Sequence, residues 1–445
     1  KPSEVFDTPE VIMSYSSNGM EKLSHNFHKV IREHVCRGKY KLAERPVLIN
    51  NWEATYFDFN EEKILKIAEQ AASLGVDMLV LDDGWFGKRD DDCSGLGDWF
   101  VSEEKLNGGL GKLAEKIKSL GMKFGLWFEP EMVSEDSDLY RSHPDWAIKI
   151  PSRNPVRSRY QLVLDMINPE VRDYLFGAIS DILKNADISY IKWDMNRSIC
   201  DWYTSCLSAE NQGEMPHRYV LGLYELLERL TTAFPDVLFE GCSGGGGRFD
   251  AGMLYYCPQI WCSDDTDAFE RTKIQYGTSF FYPVSAIGSH VSAVPNHQTG
   301  RITPIETRAV TAMAGSFGYE LDLNTLSHDE KQGVKEQIVR FKKDGPLIHN
   351  GLYYRLSDSL NDKYAMWGFV SEDKKEVLVH GVIFRTEPNR TQYLAKLRGL
   401  LPDTNYRLAE NGEVYKGSAL MNGGILLPKS WGDYASIEMH FISEA

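Results

Sequence analysis

The chain has 445 residues, enough for one large domain and a smaller one, and 42% of them are apolar, ample to fill both cores. A formal charge of −15 argues against a nucleic-acid or anionic-membrane partner, and no apolar run approaches the roughly 20 residues that a bilayer span needs. Seven cysteines without a CxxC pair point away from zinc sites and disulfides, and toward a reducing, cytoplasmic compartment.

The first 40 residues read as a lead-in or linker, helical around Asn18–His34. Without an apolar signal core or an initiator Met, the start is expected to be processed or to continue something longer. One unit then repeats through residues 41–347. Val47–Asn50 supplies a first strand, closed by Asn51-Trp52-Glu53. A helix over Glu61–Leu74 buries Ile64, Ile67, Ala68, Ala71 and Leu74, with Asn60 as N-cap and Gly75 as stop. The apolar run Val76–Leu81 follows and ends in Asp82-Asp83-Gly84-Trp85. Leu113, Ile117 and Leu120 mark a second helix, stopped at Gly121, which feeds Met122–Phe128 and then Glu129-Pro130-Glu131.

Asn168-Pro169 opens a helix (Val171, Leu175, Ile179, Ile182) that leads to the strand Ile188–Trp193 and to Asp194. Another helix (Val220, Leu223, Leu227, Leu230) precedes Val237–Glu240 and a glycine-rich stretch over 241–247. Gln259–Cys262 is followed by Asp264, and fainter strands fall near Ala286-Ile287 and Gly318–Leu321. Eight doubly buried strands, most of them separated by helices, predict a parallel (β/α)8 TIM barrel with its site at the strands' C-terminal ends. Residues 348–445 change texture. Short alternating runs at Tyr353–Leu356, Tyr364–Val370, Glu376–Val382, Tyr406–Leu408 and Gly424–Leu427 predict a small C-terminal antiparallel β-sandwich without chemistry of its own.

Two strand ends carry the most information: Tyr190–Arg197 and Trp261–Asp267 each turn abruptly acidic. Paired carboxyls, one ionised and one protonated, suit cleavage of a glycosidic bond. Lys192 projects to the same face as Asp194 and favours its charged form. For Asp264, neighbouring acids (Asp265, Asp267 and Asp194 across the pocket) are expected to raise the pKa. Spacing leaves open which of Asp264 and Asp265 points inward.

Asp82 and Asp83 read either as acceptors for sugar hydroxyls or as a turn pair. Glu129 and Glu131 are site residues or structural partners of barrel Arg and Lys, while Trp127 and Trp52 are expected to line the pocket. Gly244–Gly247 fits no phosphate-loop pattern, so close approach of backbone to a small ligand is expected there. Cys242 reads as pocket wall. A Mg²⁺-dependent barrel lyase using Asp82, Glu129 and Asp194 is the competing class. The glycosylation patterns at Asn196 and Asn389 read as chance matches.

Seven ordered motifs carry a family resemblance: Asn51-Trp52-Glu53-Ala54, Leu81–Trp85, Gly125–Glu131, Arg159-Tyr160-Gln161, Lys192–Arg197, Cys242–Gly245 and Ser263–Asp267. From about residue 45 to 330 the chain resembles the bacterial α-galactosidases of glycoside hydrolase family 36, and its tail is compatible with their C-terminal β-sandwich. The resemblance implies a retaining exo-α-galactosidase acting on melibiose, raffinose and related α-1,6-galactosides, with no metal and no nucleotide cofactor. It assigns Asp194 as nucleophile and Asp264 as acid/base. Asp82, Asp83, Trp127, Arg159, Lys192, Cys242 and Gly244 would hold galactose, and Trp52 would shape the leaving-group region. A galactosyl transferase of the raffinose-synthase type, or an α-N-acetylgalactosaminidase, would use the same site. Members of this type carry a large β-sandwich before the barrel, for which this chain has almost no residues, and the full-length form is expected to be a homo-oligomer, a tetramer.

Overall fold

The computed structural model describes residues 3, 5–6, 8–389, 393–429 and 431–444, and in it the eight expected runs become one closed, all-parallel barrel. The strands are β1 Leu48–Asn50, β2 Met78–Leu81, β3 Lys123–Phe128, β4 Tyr190–Trp193, β5 Leu238–Gly241, β6 Gln259–Trp261, β7 Ile287–Ser292 and β8 Ser316–Glu320. Among their residues only Lys123 is exposed. That is why the clearest of them, such as Met78–Leu81, appear in the sequence as continuous apolar runs instead of alternating ones, while β7 and β8, which bury Ser, Gly and His, read more faintly. The ring closes where Leu48 of β1 sits opposite Gly318 of β8 on one side and Met78 of β2 on the other.

The helices follow their sequence signals. In Glu61–Leu74 the Asn60 side chain accepts from Lys63 N at 3.0 Å, Gly75 ends the helix with φ 97°, and the five expected apolar residues are the buried ones. Pro169–Asn185 is capped by Asn168, which accepts from Glu170 N at 2.9 Å. Two positions differ from expectation. In Met215–Ala233 the core takes Leu226, leaving Val220 exposed, and in Pro169–Asn185 it takes Leu183 in preference to Ile182. Ile182 and Leu183 are adjacent in sequence and so point in different directions around the helix; the core takes Leu183 fully and Ile182 in part.

The lead-in helix, Gly19–Val30 with a further turn over Ile31–Val35, is bonded and not a loose linker. His25 meets the Tyr353 carbonyl and His28 the Ser279 carbonyl, both at 2.7 Å. Arg355 donates to Ser24 Oγ and to the Ser279 carbonyl. The helix therefore ties the barrel to the C-terminal sheet.

That sheet has six antiparallel strands: β9 Leu352–Arg355, β10 Tyr364–Val370, β11 Glu376–Ile383, β12 Asn405–Leu408, β13 Val414–Lys416 and β14 Ala435–Ser443, in spatial order β9-β10-β11-β14-β12-β13. A two-stranded ladder, Leu394–Ala395 with Ile425–Leu426, forms the second layer. Met366, Val377, Val379 and Met439 pack with Ala395, Leu397 and Ile425 between the layers. Trp367, Phe369 and Leu378 face the other way and join the barrel's core. The long central strand β14 has no counterpart among the runs read from sequence, nor does β13. Arg390 and Thr391 of the Asn389 glycosylation pattern lie outside the described residues. Among the described residues no helix is long and apolar enough to cross a membrane.

Candidate active site

The C-terminal ends of the strands converge on a cavity of about 190 Å³, lined by Trp52, Glu53, Asp82, Asp83, Trp127, Arg159, Lys192, Asp194, Asn196, Trp261, Asp264, Thr266, His297, Gln298 and Glu320. Larger cavities, of about 450 Å³ at the opposite end of the barrel and about 250 Å³ beside Trp431, hold no comparable set of acids. Chemistry, not volume, singles out the smaller one. Its wall carries six carboxyl groups against the cations Lys192 and Arg159, an environment that favours developing positive charge and disfavours anionic ligands.

Asp194 leaves the end of β4 into a cage of donors. Its Oδ1 accepts from Met195 N (2.8 Å), Ser243 N (3.0 Å) and Gly244 N (3.2 Å), and its Oδ2 from Asn196 Nδ2 (2.8 Å) and Trp127 Nε1 (3.2 Å). Burial alone would raise its pKa. The Lys192 ammonium and the bonds from Cys242, Asn196 and Gly244 outweigh that, and the carboxyl is held below the usual aspartate range. Lys192 itself is paired most directly with Asp82 Oδ2 at 3.0 Å and lies over the Trp261 ring, so it serves two carboxylates from one buried position.

Asp264 stands at the open mouth beyond β6, where Trp261 Nε1 donates to its Oδ1 at 3.0 Å. The pocket walls desolvate this carboxyl and the Asp194 charge repels its ionised form; together they raise its pKa against the opposing pull of Lys192. Asp265 and Asp267, expected to contribute, are otherwise engaged. Asp265 Oδ1 accepts from Asp267 N, while Asp267 caps the helix Ala268–Thr278 through Phe269 N and pairs with Arg301. Of the two candidate acids it is Asp264, and not Asp265, that lines the cavity.

Arg159 arrives from outside the barrel's strands. An antiparallel hairpin, Met132–Ser134 with Gln161–Val163, is inserted between β3 and β4, and Arg159 and Tyr160 just before its second strand both adopt positive φ. Asp83 is engaged side-on by Arg89, whose Nε and Nη2 reach its two oxygens at 3.0 and 2.8 Å. Trp52 is braced edge-on by Tyr56 and Phe57. Cys242 and Gly244 are not on the cavity wall; they stand behind Asp194 and hold it.

The glycine run differs from expectation in a related way. A Cβ on Gly245 would lie 2.2 Å from Asp264 N, and one on Gly246 would lie 2.6 Å from the Cys262 carbonyl. At Gly245 and Gly246 the close approach is to the neighbouring loop that carries Asp264.

Glu131 takes the structural role. Arg248 grips both of its oxygens while Trp193 Nε1 and Tyr219 OH fill the remaining acceptor sites. Glu129 is buried behind the pocket, where its Oε1 accepts from Gln161 Nε2 (2.7 Å) and Asn196 N (2.5 Å). Burial, then repulsion from Asp194, raises its pKa to about 8. A carboxyl with a folded pKa above its unfolded one supports the fold fully below the unfolded value, and that support is lost as pH rises toward 8. Glu129→Gln, which cannot ionise, is therefore expected to gain thermal midpoint relative to the parent between pH 5 and pH 8. Parallel midpoint-versus-pH curves would contradict the assignment.

Several wall residues were not singled out from sequence. Glu53, Asn196 and Thr266 sit inside the motifs and Trp261 is the last residue of β6, so adjacency to a strand end is the available signal. Glu320 is a carboxylate at the end of β8, the same signal in its plainest form. His297 and Gln298 belong to the loop after β7 and carry no local signature. Among the described residues no group of three or more His, Cys, Asp or Glu is arranged to hold a metal ion.

The family described as melibiase matches residues 5–351, and the glycosyl hydrolase family 36 C-terminal domain matches residues 364–441. The bifunctional alpha-galactosidase/sucrose kinase AgaSK of Mediterraneibacter gnavus is 56% identical over 98% of this chain and 46% of its own length. Alpha-galactosidase AgaA of Geobacillus stearothermophilus is 51% identical over 98% of this chain and 60% of its own. The chain thus spans about half to three-fifths of these relatives. Among solved structures, the galactosidase domain of AgaSK superposes with a TM-score of 0.94 at 56% identity, covering 97% of this chain and 59% of that one. An AgaA variant in complex with stachyose superposes with a TM-score of 0.98 at 49% identity, covering 100% and 62%.

Proposed function

The chain belongs to the melibiase family, glycoside hydrolase family 36, and on that premise we propose that it is a retaining exo-α-galactosidase releasing terminal α-1,6-linked galactose from melibiose, raffinose and related oligosaccharides. The observation that carries the reading is the opposed pair in one cavity: Asp194 caged by donors and held ionised, Asp264 at the mouth with a raised pKa. Complexes of AgaA variants with raffinose and with stachyose support the substrate class.

In the first step an Asp194 oxygen attacks the anomeric carbon from the β face while Asp264 delivers its proton to the departing glycosidic oxygen. A β-galactosyl ester forms and the aglycone leaves neutral. In the second step Asp264, now ionised, takes a proton from water as that water attacks the same carbon, and Asp194 departs as carboxylate. Two inversions give α-galactose. The acidic wall stabilises the cationic sugar in both transition states. Galactose hydroxyls find acceptors in Asp82 and Asp83, whose lone pairs are not exhausted by Lys192 and Arg89, and donors in Arg159 and Lys192.

The reading includes a cytoplasmic location, supported by seven cysteines that are all free thiols, and homo-oligomeric assembly, supported by the resemblance alone. An NMR time course on 4-nitrophenyl α-galactoside is the test. The α anomer of galactose is expected to appear first, with β following only by mutarotation. First release of the β anomer, or no galactose at all, would reject the mechanism.

A further inference from the structure

Glu53 lies on the cavity wall, yet its side chain is only 3% exposed, and no step of the proposed reaction uses it. It projects from the short helix Trp52–Thr55 that follows β1. Its two oxygens reach two other strand ends. Thr266 Oγ1 donates to Oε1 at 2.6 Å, and Ala293 N donates to Oε2 at 3.1 Å, with His297 Nδ1 3.4 Å from Oε1.

Thr266 is two residues from Asp264 and is held from the β7 side as well. Asn296 Nδ2 donates to its hydroxyl at 3.0 Å, and Ser292 Oγ donates to its carbonyl at 2.9 Å. Gln298 Nε2 donates to the Asp264 carbonyl at 2.8 Å. The loop that carries Asp264 is thus fastened from the β7 side by Ser292, Asn296 and Gln298 and from the β1 side by Glu53.

We propose that Glu53 is a positioning residue that, through the Thr266 hydroxyl, holds the Asp264 loop where its carboxyl meets the glycosidic oxygen, and so governs proton delivery to the leaving group. The inference rests on the reading of Asp264 as the acid/base. A purely structural carboxylate would slow all substrates alike when removed. A residue that aims the proton donor slows those whose leaving group needs the proton most.

The test compares kcat/KM, which reports the bond-breaking step, on melibiose and on 4-nitrophenyl α-galactoside. The sugar leaving group requires protonation, whereas 4-nitrophenolate departs with little help. Glu53→Gln is expected to lower kcat/KM about 10- to 30-fold on melibiose and less than about 3-fold on the aryl substrate. Thr266→Val should reproduce that split, Thr266→Ser should restore the parent rates, and the Glu53→Gln/Thr266→Val double variant should be no worse than the poorer single one.

Equal losses on both substrates, no loss on either, or additive losses in the double variant would overturn the inference. Asp264→Asn, measured beside them, separates the two levels of the argument. If it slows both substrates alike, the acid/base reading itself fails. If it splits them and Glu53→Gln does not, only the positioning role fails.

Discussion

Asp194→Asn is expected to lower kcat for 4-nitrophenyl α-galactoside by about 10⁴-fold or more, as removal of a nucleophile does, while the thermal midpoint stays within a few degrees of the parent. The two halves of this expectation have separate causes. An amide oxygen is too weak a nucleophile to form the galactosyl ester, and the acidic wall offers no substitute in the same place. Stability is a balance. On the Oδ1 side asparagine keeps an oxygen for Met195 N, Ser243 N and Gly244 N. On the Oδ2 side its NH₂ group meets the Trp127 and Asn196 donors, and leaving those unpaired costs about 1–3 kcal/mol. Against that, losing the Asp194 charge relieves the repulsion that raises Glu129 and Asp264. Steady-state rates with thermal melting decide the matter. A variant with a near-native rate would remove Asp194 from the chemistry.

How legible this molecule was depends on what each residue's neighbours are. All eight barrel strands could be read because a doubly buried parallel strand needs no partner to declare itself. Val76–Leu81 and Met122–Phe128 are apolar apart from one charged residue near the start of each, Asp77 and Lys123, and are bounded by Gly on one side and acids on the other. β14 shows the opposite case. Its apolar positions Ile437, Met439 and Phe441 alternate with Glu438 and His440, which look like a solvent face. In the fold those polar residues pair with Arg340, His380 and Glu376, partners scattered along the chain. Burial of such a face depends on tertiary partners that no local pattern encodes.

The site divides in the same way. Residues at strand ends, such as Asp82, Asp83, Trp127, Lys192 and Asp194, reach the cavity because the barrel sends every strand's C-terminal end to one rim. His297 and Gln298 reach it through a loop whose path is set by Asn296, Arg301 and Thr299 bonding to one another and to the Asp267 cap. Asp265 and Asp267 illustrate the converse. Their charges stand next to Asp264 in sequence, but helix capping and Arg301 engage them, and the acids that act on Asp264 come from β4 and β8.

The glycine run was recognisable as a close approach; what it approaches was not, and this gives the second large expectation. Gly245→Ala should lower kcat about 100-fold on both aryl and sugar galactosides although it replaces no side chain that bonds to substrate. Gly245 has φ 76°, where an alanine costs about 1–2 kcal/mol. Its new methyl would also stand 2.2 Å from Asp264 N and 3.1 Å from Asp264 Cγ. Neither side can yield cheaply. The loop of Gly245 is pinned to β4 through Cys242 N bonded to the Trp193 carbonyl, and its Ser243 and Gly244 amides hold Asp194. Any movement that relieves the clash therefore displaces either the acid or the nucleophile, and a misplacement of about 1 Å is worth about 100-fold in rate. Gly177→Ala is the control: it lies within the helix Pro169–Asn185 with nothing within 4 Å of its added methyl. It should gain about 0.5–1 kcal/mol of stability with unchanged turnover. If Gly245→Ala kept activity within about threefold of the parent, the two carboxyls would not depend on this backbone contact, and the contact could not be what sets the distance between them.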